Sequence, residues 1–278
     1  MMSLEVLQPH PKLKKLILSW YMGVRIPSWL SSLTNLVNLV LSYDIRLHHL
    51  PQLNQLPFLQ SISLYKMEAL EYISEDIVSN VFGSSSSSSS KATFFPSLSS
   101  LELSDCRNLK GWWRKDDDNE PNHQLLSSFP RLSKLVIEYC PNLTFMPLFP
   151  YLKEEMRLNE ASSKVLHLQQ TMKMGATQSP STTPTTSTSS SCFLSQLQSL
   201  HLSKVNDLES LPEEWLQNFV SLQKLSIFNC HGLRSLPCRG IQHLTTIQDM
   251  EISYCKELAL LNDEDDGMQW QGLRSLRT

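Results

Sequence analysis

The chain has 278 residues, with 24 lysines and arginines against 27 aspartates and glutamates and a formal net charge of -3. That balance supplies no general basic field for a phosphate polymer, so nucleic acid is not an expected partner. No apolar run reaches the ~18 residues of a membrane span, and Met1-Met2-Ser3-Leu4-Glu5 lacks the charged-then-apolar layout of a secretory signal, which predicts a cytoplasmic protein with access to the nucleus.

The predicted elements come from one recurring spacing, L-x-x-L-x-L. In chain order it reads Leu13-Leu16-Leu18, Leu36-Leu39-Leu41, Leu59-Ile62-Leu64, Leu98-Leu101-Leu103 and Leu132-Leu135-Ile137. It resumes at Leu197-Leu200-Leu202, Leu222-Leu225-Ile227 and Ile247-Met250-Ile252, with a partial copy at Leu273-Leu276. Another aliphatic residue follows each third position, at Val24, Leu47, Leu70, Leu109, Leu143, Leu208, Leu233 and Leu258. The second half of each unit alternates apolar and polar, as a short strand with one buried face must. X-Pro steps such as His10-Pro11, Leu56-Pro57, Phe95-Pro96 and Phe129-Pro130 suit strand entry. Two return segments carry helical spacing, Pro27 to Leu33 and Pro212 to Phe219, each with proline suited to a first helical position.

This consensus is that of a leucine-rich repeat. The fold class predicted is an α/β repeat solenoid: a horseshoe with a parallel concave β-sheet and an irregular or short-helical convex side. Uneven spacing sets the domain reading. Residues 1–170 form a stack, with inserted loops near 83–92 (around Gly83 and Ser84 to Ser90) and 115–124 (around Asp116 to Glu120). Phe149-Pro150-Tyr151-Leu152 announces a degenerate repeat whose Met156 and Leu158 sit one residue late, read as a bulge. The Ser/Thr/Pro-rich stretch 171–191 is a flexible insertion, and 192–278 a second stack that stops inside a repeat.

Chemistry-bearing residues do not cluster into a catalytic pattern. Cys106, Cys140, Cys230 and Cys255 share one repeat position, filled elsewhere by Tyr21, Asp44, Met67 and Val205. Such tolerance points to a buried thiol under a turn and away from metal ligation. Cys230-His231 are sequence neighbours without a triad-like context, and the acidic run Asn262 to Gly267 lacks the closing Glu of a calcium loop, with Leu273 in its place. No catalytic residue, metal or cofactor is therefore expected.

The stretches Leu7 to Lys14, Ile26 to Leu36 and Leu109-Lys110-Gly111-Trp112-Trp113-Arg114 resemble the leucine-rich-repeat region of plant coiled-coil nucleotide-binding disease resistance proteins. Leu208-Glu209-Ser210-Leu211-Pro212 and Leu233-Arg234-Ser235-Leu236-Pro237 fit the same family. In that resemblance Trp112-Trp113 is a packed turn beside Leu109. The G-x-x-x-x-G-K-[ST] loop of a nucleotide switch does not occur, so no nucleotide-binding domain is expected within this chain. The resemblance implies a non-catalytic recognition module, the ligand-sensing and autoinhibitory part of an immune receptor. Its partner would be a protein, a pathogen effector or host factor, with a nucleotide-binding domain in cis or in trans. The alternative is a stand-alone adaptor such as a ubiquitin-ligase substrate receptor.

Outward strand positions line the concave face and are free of packing duty. The protein-binding candidates there are Trp20, Tyr43, Tyr65, Lys66, Tyr139, Lys204, Phe228 and Tyr254. Surface aromatics of this kind serve either as interface anchors or as cross-strand stacks that stiffen the sheet.

Overall fold

The computed structural model describes residues 4–54, 56–74, 94–113, 128–166 and 194–258. The predicted loops near 83–92 and 115–124, the 171–191 insertion and the partial copy at Leu273-Leu276 lie outside them. Nine five-residue strands form one parallel sheet: β1 (Lys15–Ser19), β2 (Asn38–Ser42), β3 (Ser61–Tyr65), β5 (Ser100–Ser104), β7 (Lys134–Glu138), β8 (Glu155–Asn159), β9 (Ser199–Ser203), β10 (Lys224–Phe228) and β11 (Asp249–Ser253). Two shorter strands, β4 (Tyr72–Ser74) and β6 (Gly111–Trp113), pair as a second parallel ribbon.

Register explains why the repeat folds this way. Leu16, Leu39, Ile62, Leu101, Leu135, Met156, Leu200, Leu225 and Met250 stand opposite one another from strand to strand. Leu18, Leu41, Leu64, Leu103, Ile137, Leu158, Leu202, Ile227 and Ile252 form a second row in the same way. From β2 to β10 these side chains are buried, while those of β1 and β11 are only partly so. Each fully buried aliphatic contributes about 1.5–3 kcal/mol. Because each touches the next repeat, that stabilisation is shared along the array.

In every unit but that of Leu132 the first apolar residue closes a tight turn before the strand, as when the Leu36 N–H donates to the Leu33 carbonyl at 2.9 Å and that of Leu197 to Leu194 at 3.0 Å. The aliphatics after the strands are buried at Leu47, Leu70, Leu109, Leu143, Leu208 and Leu233. Val24, in the first unit, stands 45% exposed.

The late repeat joins the same sheet. β8 pairs residue for residue with β7 and with β9, so the strands on either side of 167–193 are hydrogen-bonded neighbours. Its extra residue is absorbed before the strand. The N–H groups of Lys153, Glu154 and Glu155 gather on the Ser133 carbonyl at 3.3, 2.8 and 3.3 Å, where two suffice in the neighbouring repeat, Ser133 and Lys134 on Ser99. Lys153 and Glu154 then each accept one N–H, from Gln198 and Ser199.

The helical segments differ in detail from the expected ones. Ser28–Ser32 is a 3₁₀ helix, whereas Glu213–Asn218 is the α-helix α1. Pro27 and Pro212 sit at the cap position before the first helical residue, with extended ψ of 141° and 136°. Their fixed φ suits that place, and the following residue supplies the first helical turn. A further helix, α2 (Cys238–Gln242), follows Pro237 and lies against α1. Trp112 and Trp113 are in strand β6 and not in a turn. Both are buried, with Trp112 edge-on to Phe129 at 5.0 Å and Trp113 to Phe145 at 5.1 Å.

Candidate functional site

The open face of the nine-strand sheet is built by one backbone device repeated in every unit. The residue that leaves each strand has positive φ, from 47° to 59°: Trp20, Tyr43, Lys66, Asp105, Tyr139, Glu160, Lys204, Asn229 and Tyr254. Simple strand alternation would send each of these inward, in line with the leucines two residues earlier. The left-handed turn keeps it on the open face instead and sends the next residue inward, into the slot of Asp44, Met67, Cys106, Cys140, Ala161, Val205 and Cys230, all buried. The N–H of every left-handed residue but Tyr254, which follows the last strand, extends the sheet by one bond to the neighbouring strand end. Trp20 donates to Ser42 at 3.0 Å, Tyr43 to Tyr65 at 2.9 Å, Tyr139 to Asn159 at 2.7 Å and Lys204 to Phe228 at 2.9 Å. Left-handed geometry costs L-residues about 1–2 kcal/mol each. Among these nine, only Asp105 and Asn229 are of types that tolerate it well, and none is glycine.

The expected site residues fall into two groups and two separate points. Trp20, Tyr43, Tyr65 and Lys66 come together over β1–β3. The Trp20 and Tyr43 rings stack at 4.6 Å and 6°, Tyr65 meets Tyr43 edge-on at 5.0 Å, and the Lys66 ammonium lies 5.7 Å from the centre of the Tyr43 ring. Trp20 remains 64% exposed and Tyr65 40%, whereas Tyr43, between them, is only half-exposed. Stacking and exposure thus coexist. Phe228 and Tyr254 form the second group, their rings 5.2 Å apart at the β10–β11 end, with Tyr254 68% exposed.

Tyr139 and Lys204 stand between these groups, in a field of ion pairs. Lys204 Nζ donates to Glu160 Oε1 at 2.6 Å. Lys134 bridges Glu102 and Glu155 at 3.4 and 3.5 Å, and Arg157 reaches Glu155 at 2.7 Å and Glu138 at 3.8 Å. Partial burial alone would raise the Glu155 carboxyl. The hydrogen bond and charge of Arg157, with Lys134 and His201, outweigh it and hold the group below its ordinary value. Burial and the charge of Arg157 likewise depress His201, whose Nε2 shares a 2.9 Å hydrogen bond with Ser199 Oγ.

Reading the repeat by its first apolar position missed the contributions of β8. Glu155, Arg157, Asn159 and Glu160 occupy the same open-face positions as Lys134, Val136, Glu138 and Tyr139. Counting instead from the Met156-x-Leu158 pair would have found them. Ile17 was missed because it is apolar; at 54% exposure it extends the patch beside Trp20.

The cysteine slot serves packing. Thiols of Cys106, Cys140 and Cys230 donate to carbonyls of the preceding repeat's strand, Leu64, Leu103 and Leu202, at 3.9, 3.8 and 3.7 Å. Burial pushes the Cys230 thiol up to about 11, and the neighbouring Cys106 thiol together with burial raises Cys140. Raised, buried thiols are poor nucleophiles. Asp44 fills the same slot by folding back, its Oδ1 accepting the N–H groups of Arg46 and Leu47 at 2.9 and 3.0 Å. Among the described residues, no group of three or more His, Cys, Asp or Glu side chains could hold a metal ion.

Residues 1–67 match a family model described as R13L1/DRL21 LRRs. The putative disease resistance protein RGA4 of Solanum bulbocastanum is 30% identical over 223 residues, covering 79% of this chain and 19% of that protein. Disease resistance protein RGA2 of the same species is 31% identical over 144 residues, 51% of this chain and 14% of its own length. This chain is a leucine-rich-repeat region like those of plant disease resistance proteins. Such a leucine-rich-repeat solenoid is typically a non-catalytic interaction module, and this one spans less than a fifth of the length of those two relatives. Among solved structures, the leucine-rich repeat domain of the type III effector XCV3220 (XopL) matches with a TM-score of 0.45 and 16% identity, covering 88% of this chain and 70% of that one. The solenoid assignment rests on the nine-strand register itself. No helix among the described residues is long and apolar enough to cross a membrane.

Proposed function

We propose that the concave face of this solenoid is a protein-recognition surface, acting as the ligand-sensing and self-restraining part of a plant disease-resistance receptor. The observation that carries this reading is the row of nine non-glycine residues in the left-handed conformation on the open face. A backbone under that strain is more stable with glycine, so large aromatic and charged side chains there point to a use outside the fold. The mixed charge of the face favours a protein over a phosphate polymer. Kinship with disease resistance proteins supplies the setting: the partner is a pathogen effector or host protein, and signalling passes through a nucleotide-binding domain, in cis or in trans. In this role the chain is non-catalytic and needs no cofactor.

A photo-crosslinking residue at Ser63, in the middle row of β3, tests the assignment against one at Gln217, exposed on α1. Both chains are expressed in leaf tissue challenged with a pathogen. Adducts from position 63 that are absent from position 217 and lost in a Trp20→Ala, Tyr254→Ala background are expected. Adducts confined to position 217 would overturn the reading.

A further inference from the structure

The concave face is not uniform, and its differences point to where a partner is gripped and by what. On β5 to β9 the charged side chains hold one another: Lys134, Arg157 and Lys204 are engaged by Glu102, Glu138, Glu155 and Glu160. A partner docking there must break or desolvate existing pairs. On β10–β11, Lys224 is taken by Asp249 at 3.0 Å, and Glu251 adds a further acid. The β1–β3 end differs in kind. Its open face presents Lys15, Ile17, Trp20, Tyr43, Tyr65 and Lys66, and its own strands contribute no carboxylate, since Asp44 is turned inward and buried; Glu102 of β5 reaches only its edge, accepting from Ser63 Oγ at 3.3 Å, and is shared with Lys134. The nearest acid on the following strand end, Asp105, is held by Arg107 at 2.8 Å.

We propose that this end is the primary anchor of the recognition face, and that its occupant is a segment of a partner protein presenting a carboxylate beside an aromatic ring. The inference rests on the concave-face reading above. The stacked Trp20 and Tyr43 rings, pinned by Tyr65, form a preorganised apolar slab, so little side-chain freedom remains to be lost on binding. Trp and Tyr are the side chains that most often dominate interface energetics. Lys15 and Lys66 flank the slab without an acid of their own strands to satisfy them, so a partner's carboxylate is their complement.

The test is selection of a displayed random-peptide library on the immobilised full chain. Enriched sequences should place Asp or Glu beside Phe, Tyr or Trp. Trp20→Ala should weaken a selected peptide by about tenfold or more, and Lys66→Glu should turn selection toward basic residues. Both positions are on the surface, and circular dichroism verifies that the variants fold. Enrichment of basic or uncharged peptides, no enrichment at all, or binding indifferent to both changes overturns the proposal. Loss of binding in Phe228→Ala, Tyr254→Ala but not in Trp20→Ala overturns the anchor and leaves the concave-face reading standing. Binding unmoved by any of these changes sinks both.

Discussion

Replacing Tyr139 by glycine should stabilise the protein, although it removes a large side chain. Tyr139 leaves β7 with φ of 54°, a conformation that its Cβ disfavours by about 1–2 kcal/mol. Glycine releases that strain but loses about 0.5–1 kcal/mol through the greater freedom of its unfolded chain. The difference is a net gain of about 0.75 kcal/mol at the midpoints of those ranges, within about 0–1.5 kcal/mol, a rise of about 1.5–3 °C in Tm for a chain near this size. Alanine keeps the Cβ and with it the strain, so Tyr139→Ala should gain nothing. The same change at Tyr43 should show less benefit, because it also dismantles the ring stack with Trp20, worth about 0.5–1.5 kcal/mol. Urea unfolding of the two variants, with hydrogen exchange on β7 and β8 to localise the effect, measures the glycine-minus-alanine difference. A Tyr139→Gly protein no more stable than Tyr139→Ala would refute the strain argument. The claim that the row is kept for its side chains would fall with it.

Leu135→Ala, at a fully buried site in the middle of the sheet, should cost about 3–4 kcal/mol; hydrogen exchange should show lost protection in β5 and β8 as well as β7, and loss confined to β7 would contradict the shared core. Glu155 is held below its ordinary value, so its ionisation stabilises the fold above the usual glutamate pKa, and that share is lost as pH falls from there through the folded-state value. Glu155→Gln should therefore flatten the fall of Tm between pH 5 and 3, and an unchanged slope would mean that the Arg157 and Lys134 contacts contribute nothing. Cys230, pushed up to about 11 by burial, should resist alkylation in the native protein at pH 7.5, with mass spectrometry showing modification of that site only after unfolding.

Much of the architecture is written locally. The residues of the two inward rows were legible because a short strand buries alternate side chains, and Leu39-x-Leu41 or Leu101-x-Leu103 admits only one face. The cysteine slot was legible because the same position accepts Asp44, Met67 and Val205, which share burial and no chemistry. Gathering of the open-face residues was harder to read. Trp20 and Tyr43 are separated by a whole repeat, and only β1–β2 register lays one ring flat on the other. The β8 contribution was hidden by a single extra residue. Spacing from Leu152 misplaces everything after it, yet the backbone absorbs the surplus on the Ser133 carbonyl and restores register at Met156.

By itself, then, the sequence determined a parallel stack of short strands with leucines inward, because apolar burial at a fixed period leaves no other arrangement for those side chains. Tertiary structure decided which side chains share the open face and what they do there. It set Trp20, Tyr43, Tyr65 and Lys66 in one patch and tied Lys204 to Glu160 and Lys134 to Glu102 and Glu155. It also placed nine residues in the left-handed conformation, which keeps outward a position that alternation alone would bury. The reason is that neither cross-strand contact nor backbone handedness is a property of any one segment: both arise when each strand end must bond to the repeat beside it.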